Sequence, residues 1–212
     1  MNPDDTLTAP NPLTGLSASV QRDPFEAERA ARLHRRLSDA AAEHGLLDVA
    51  YRVVDSPVGA LLLAATPVGL VRVAFAVEDH ERVLDALAVD IGPRILAAAD
   101  RLEDAARQLD EYFAGRRDRF ELAVDLRLAH GFRRAVLEAL PTITYGRTAS
   151  YAAVAAAAGH PRAVRAVGTA CARNPVPVVV PCHRVVRSDG SIGQYLGGVE
   201  AKRALLELER AA

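Results

Sequence analysis

The segment Asn174-Pro175-Val176-Pro177-Val178-Val179-Val180-Pro181-Cys182-His183-Arg184-Val185-Val186 carries three prolines in seven positions. That density rules out a regular helix or a central strand, because each proline removes a backbone donor and fixes φ. The chain is expected to run extended and stiff here and to hold Cys182 and His183 at fixed geometry. A cysteine is a strong nucleophile only as the thiolate, which a nearby histidine, cation or helix N-terminus promotes. The competing reading is a buried thiol packed as a small hydrophobe. The pair alone favours the buried thiol. No structural metal is expected, since His34, His44, His80, His130 and His160 are scattered and no second Cys or His stands at ligand spacing.

The 212 residues suffice for one domain or two small ones, and half are hydrophobic, enough for a real core. No apolar run approaches the ~20 residues of a membrane span, and Met1-Asn2-Pro3-Asp4-Asp5 does not open a secretory signal. With Cys171 and Cys182 as the two cysteines, a disulfide framework is excluded and a reduced, cytoplasmic protein is expected. The net charge of −1 hides a split. Residues 1–130 hold 15 Arg against 22 acids, a net of −7, whereas residues 131–212 hold 10 Arg and 1 Lys against 5 acids, a net of +6. The C-terminal part can therefore attract phosphate although the whole-chain charge is near neutral.

Residues 1–22, rich in Pro, Gly, Ser and Thr, are expected to form a disordered arm. Asp23-Pro24 opens a predicted helix over 23–45 that Gly45 ends. From Tyr51 the period shortens: Tyr51–Val54, Ala60–Ala65 and Leu70–Phe75 are separated by turn residues and predict an antiparallel meander. Helices are expected near Asp79–Val89 and Asp100–Phe113, with a short strand at Arg94–Ala97. These elements make a small α/β domain over 46–125, followed by a linker around Asp125–His130. Phe132, Val136, Leu137 and Leu140 then form a helical stripe that stops at Pro141. Two short helices, Tyr151–Ala158 and Arg162–Ala172, flank Gly159-His160-Pro161 with the proportions of a helix-turn-helix. The second is expected to carry Arg162 and Arg165, with Arg173 at its end; Cys171 within it is assigned to packing.

Several ordered motifs then coincide. They are Tyr145-Gly146-Arg147-Thr148-Ala149-Ser150-Tyr151, Arg165-Ala166-Val167-Gly168, Asn174-Pro175-Val176-Pro177, Pro181-Cys182-His183-Arg184-Val185 and Gly193-Gln194-Tyr195-Leu196-Gly197-Gly198, with Asp55-Ser56-Pro57-Val58-Gly59 upstream. From about Tyr51 to Glu209 the chain resembles the O6-alkylguanine–DNA alkyltransferases, also called methylated-DNA–protein-cysteine methyltransferases. The resemblance implies an α+β fold: a small α/β domain with an antiparallel, ribonuclease-H-like sheet, and a mainly helical domain over 131–212 bearing the helix-turn-helix.

It also implies roles. Cys182 takes the alkyl carbon from guanine O6, possible O4-alkylthymine activity included, in one irreversible transfer without a cofactor. His183 acts through water as the base, Glu209 orients it, and Asn174 ties the active-site turn to the helix-turn-helix. Tyr195 donates to the departing O6, and Val185 and Tyr151 contribute to the substrate pocket. The target nucleotide must be extruded from the duplex. Arg165 would fill the vacated stack and Tyr151 would push the target phosphate. Ser188, Arg162 and Arg173 are phosphate contacts. The expected partner is double-stranded DNA carrying O6-alkylguanine, with the protein a monomer away from membranes. Leu137 replaces a frequent tryptophan, a packing change expected to be tolerated, and Leu196 replaces a small or polar residue, so the alkyl groups accepted can differ. A helix-turn-helix regulator and a lesion-recognition relative are the alternatives; Cys182 argues against the second. A general thiol hydrolase is weakest, for want of an oxyanion-hole loop.

Overall fold

The computed structural model describes residues 24–211, so the expected arm at 1–22 and the Asp23 cap lie outside the described residues. These residues divide into two compact units, one ending at Leu37 and the other running from Ser38 onward. Helix α1, Pro24–Glu43, spans the division. It ends at Gly45, whose φ of +64° suits a residue without a side chain, and Leu46 N–H returns to Ala41 O at 2.7 Å.

The second unit is a mixed α+β fold. Strands β1 (Val49–Val54), β2 (Leu61–Ala65) and β3 (Leu70–Phe75) pair antiparallel, as the alternating runs predict. The short β4 (Ile95–Ala97) joins β1 in parallel, giving the order β3-β2-β1-β4. The antiparallel expectation is thus corrected at one edge. The parallel pairing follows from α2 (His80–Asp90), which crosses one face of the sheet before β4. Val83 and Leu87 of α2 pack there on Val49, Leu62, Ala64, Val71 and Ala74.

A bulge at β3 matters for the site. Ala64 pairs with Arg72 and Ala65 with Leu70, leaving Val71 as the extra residue. Val71 therefore faces α2, while Val73 and Phe75 face the opposite core. The outer edge of β3 is covered: Leu70 N–H donates to Ala123 O and Val73 N–H to Pro175 O, both at 2.8 Å. The proline-rich segment is so attached to the sheet without joining it as a strand.

Helix α3 (Glu103–Phe113) is preceded by a single 3-10 turn, Ala99–Leu102, where a continuous helix from Asp100 was expected. Residues 125–130 are not a loose linker. The buried Asp125 accepts the Thr66 hydroxyl at 2.6 Å, and Ala129 is fully buried. One hydrophobic core consequently runs from Leu61 and Tyr112 to Val136, Val167 and Leu205.

Helix α4 (Gly131–Ala139) does not simply stop at Pro141, which lies inside a following 3-10 turn, Leu140–Thr142. Strand β5 (Ala149–Ser150) leads into α5 (Tyr151–Ala157), capped by the Ser150 hydroxyl, which accepts from Ala153 N–H at 3.1 Å. Helix α6 (Val164–Ala172) begins two residues later than expected, so Arg162 sits in the turn before it rather than on it. After a 3-10 turn, Cys182–Arg184, strand β6 (Val185–Val186) pairs in parallel with β5, and α7 (Gly198–Ala211) closes the chain. No described helix is long and apolar enough to cross a membrane.

Candidate active site

Cys182 lies where three constraints meet. Pro181 precedes it, its own N–H donates to Val180 O at 2.8 Å, and it opens the 3-10 turn. Asn174, fully buried, shapes the preceding loop: its amide donates to Val180 O at 2.8 Å and to Cys182 Sγ at 3.1 Å, while Oδ1 accepts Val176 N–H at 3.0 Å. Within that loop Val178 has φ +73°, a left-handed conformation rare for a β-branched residue. The loop is held in this strained form by its bonded surroundings.

His183 and Glu209 are both buried, and His183 Nε2 lies 2.8 Å from Glu209 Oε1. Arg184 Nε and Nη2 donate to the same carboxylate at 3.0–3.1 Å, and Gly146 N–H donates to Oε2 at 3.2 Å. Burial alone would raise Glu209, but the His183 and Arg184 hydrogen bonds outweigh it and hold the carboxyl at about 2. Glu209 is therefore an anion at neutral pH, which favours the His183 tautomer carrying its proton on Nε2. The other nitrogen, Nδ1, is buried and has no hydrogen-bond partner among the described residues. Burial also depresses His183, keeping the imidazole neutral at rest.

Burial pushes the Cys182 thiol up to about 11, opposed by the Asn174 amide and by the charge of Lys202. The resting sulfur is a thiol, and a thiolate must be generated when it is used. Lys202 is itself buried, with Nζ donating to Val185 O at 2.5 Å. Tyr195 stands edge-on to Phe75 at 5.5 Å and to His183 at 6.5 Å, and its buried hydroxyl has no hydrogen-bond partner among the described residues. Gly197 lets this loop approach: a Cβ there would come within 2.7 Å of the Phe75 ring. Gly193 does the same for Tyr151, whose hydroxyl would meet a Cβ at 2.6 Å.

The structure thus brings Cys182, His183, Glu209, Asn174 and Tyr195 together, with Val185 and Tyr151 at the margins. Arg165 is exposed on α6, Arg162 is exposed before it, and Arg173 is exposed at its C-terminal end. Among the described residues, none of these three guanidinium groups has a side-chain partner. Other arginines are paired to carboxylates, among them Arg52, Arg72, Arg94 and Arg117 in the N-terminal half and Arg134, Arg184 and Arg203 in the C-terminal part. Ser188 is exposed in a separate turn closed by Gly190 N–H to Arg187 O at 2.9 Å.

Sequence reasoning missed Lys202, Arg184 and Tyr112 as members of this site. Lys202 had a signal: it is the one lysine in a chain with 25 arginines. Tyr112, on α3, had none.

The family described as 6-O-methylguanine DNA methyltransferase, ribonuclease-like domain, matches residues 49–126, and its DNA binding domain counterpart matches residues 131–211. A methylated-DNA–protein-cysteine methyltransferase of Mycobacterium bovis is 40% identical over 161 residues, covering 76% of this chain and 92% of the relative. The constitutive enzyme of that name from Bacillus subtilis is 37% identical, with 76% and 94% covered. The crystal structure of Mycobacterium tuberculosis OGT in complex with DNA aligns with a TM-score of 0.66 at 39% identity, covering 76% of this chain and 93% of that one.

Proposed function

The chain belongs to the 6-O-methylguanine DNA methyltransferase family, and we propose that it repairs DNA by moving an alkyl group from guanine O6 to Cys182 in a single, irreversible step. The observation that carries the assignment of Cys182 is the state of its neighbour. His183 has one nitrogen tied to Glu209 and the other buried and unpartnered, beside a thiol that burial keeps protonated. That arrangement supports proton removal on demand.

In this reading the thiol proton passes through water to His183 Nδ1. The sulfur forms a bond to the alkyl carbon, the carbon–O6 bond breaks, and its electron pair stays on the guanine. The guanine is restored on protonation, with the Tyr195 hydroxyl as the donor facing O6. The product is a thioether, which has no hydrolysable acyl bond, so the protein is consumed. Asn174 fixes the sulfur, and Glu209 fixes the histidine.

The unpaired Arg162, Arg165 and Arg173 favour double-stranded DNA at the α5–α6 face. Extruding the nucleotide costs a few kcal/mol, and Arg165 filling the gap offsets part of it. Tyr151 pressing the target phosphate and Ser188 touching the backbone belong to the same proposal. So do O6-alkylguanine as the lesion, action as a monomer, a cytoplasmic site of action, and the division into a 46–125 α/β part and a 131–212 transfer part. The two matched segments support that division.

The test is a titration of the protein with a duplex carrying O6-methylguanine. Lesion loss should rise with protein and plateau at one lesion per molecule. Turnover beyond one equivalent, or no loss with folded protein, refutes the proposal.

A further inference from the structure

Tyr112 lies 71 residues before His183, on α3, yet reaches the same carboxylate. Its hydroxyl donates to Glu209 Oε1 at 2.8 Å and stands 3.5 Å from His183 Nε2. The side chain is fully buried, and its ring is held by Phe113, Phe120 and Tyr145 at centroid distances of 5.3, 5.2 and 6.0 Å. It cannot swing away without opening the core. From this we propose that Tyr112 is a positioning residue for the alkyl transfer, fixing Glu209 and limiting the pull of that carboxylate on the His183 proton. The inference rests on the reading of His183 as the base.

The physical reason is competition for one oxygen. Glu209 Oε1 accepts from Tyr112, His183 and Arg184 together, so each donor is held less strongly than it would be alone. A carboxylate held this way stabilises an imidazolium less. His183 then rests neutral, with Nδ1 open. The other groups facing the pair are Arg184 and Lys202, which both oppose a charged His183, and Cys182, Tyr195 and Tyr145. Burial raises Tyr112 far above its ordinary range, so it remains a donor at any pH at which the protein is folded. A tyrosine needed only for packing would work equally well as phenylalanine.

Tyr112→Phe in the full chain is the test, because it removes one oxygen and keeps the ring. Loss of one donor makes Glu209 a stronger partner for an imidazolium, so His183 becomes more basic. The pH at which single-turnover transfer is half-maximal should rise by about half a unit or more, so transfer should slow most on the acid side of that midpoint, while affinity for unmodified duplex stays constant. An unchanged midpoint, whether or not the rate falls, overturns the proposal. His183→Gln separates the two ideas. If that variant transfers as fast as the parent protein, the base reading fails; if it is slow while Tyr112→Phe keeps the parent profile, only the role of Tyr112 fails. Should Tyr112→Phe not fold, NMR of the parent protein decides. A slowly exchanging Tyr112 hydroxyl proton with a contact to the His183 ring is expected, and its absence overturns the proposal.

Discussion

The Asn174 amide donates to the Cys182 sulfur at 3.1 Å while also holding the Val180 carbonyl, so a single side chain sets both the shape of the loop and the polarity around the nucleophile. Asn174→Ala leaves the buried Val176 N–H unpaired and takes one of two donors from Val180 O, which keeps the Cys182 N–H, at a cost of roughly 1–3 kcal/mol. Transfer should slow as well, since the thiolate loses a donor. Asn174→Asp should slow it further by placing an anion beside the forming thiolate. Urea unfolding and single-turnover rates measure the two effects separately.

Acid should destabilise the protein in two stages. His183 is depressed in the folded state, so the stability linked to it is present above its unfolded value of 6.5 and declines as pH falls below that value. Glu209 is held at about 2 against 4.5 unfolded, so its contribution is complete above 4.5 and is lost as pH falls from 4.5 toward 2. The second stage amounts to roughly 3 kcal/mol. Urea midpoints measured against pH should show both stages in the parent protein. In Glu209→Gln, the stage below 4.5 should diminish.

Lys202 is a buried cation whose charge opposes the rise of the Cys182 pKa. Lys202→Met keeps most of the side-chain volume and removes the charge. Transfer should slow by about tenfold, as expected for a shift of about one unit in the thiol, with duplex affinity little changed. Equal losses in transfer and affinity would instead mark Lys202 as a DNA contact.

Gly193→Ala puts a Cβ at 2.6 Å from the Tyr151 hydroxyl. The backbone at Gly193 is not in the left-handed region, so folding should survive and Tyr151 should be displaced. Transfer from duplex should fall. Adding Tyr151→Phe removes the oxygen responsible and should recover part of the loss in the double variant. Additive losses would show that the two residues act independently.

Much of this was legible in the sequence for identifiable reasons. The β-meander followed from strict turn punctuation, and Cys182, His183 and Asn174 are close in sequence and boxed in by prolines. Glu209 and Tyr195 were legible only through motif resemblance, because a C-terminal Glu and a loop Tyr have no local signature of their own. The parallel seat of β4 and the bulge at Val71 were not legible, since register depends on partners elsewhere in the sheet. Tyr112 was invisible for a similar reason. Nothing near Glu111-Tyr112-Phe113 signals that the hydroxyl meets a carboxylate 97 residues away.

The most direct measurement is peptide mass mapping after reaction with a duplex containing O6-methylguanine. Both cysteines are buried, and burial raises both, Cys171 to about 12 and Cys182 to about 11, so intrinsic acidity barely distinguishes them. Only Cys182 has His183, Glu209 and the Asn174 amide around it. The expected result is one methyl on the peptide bearing Cys182, none on that bearing Cys171, and no transfer in Cys182→Ala. A methyl on Cys171, or lesion loss that persists in Cys182→Ala, would contradict it.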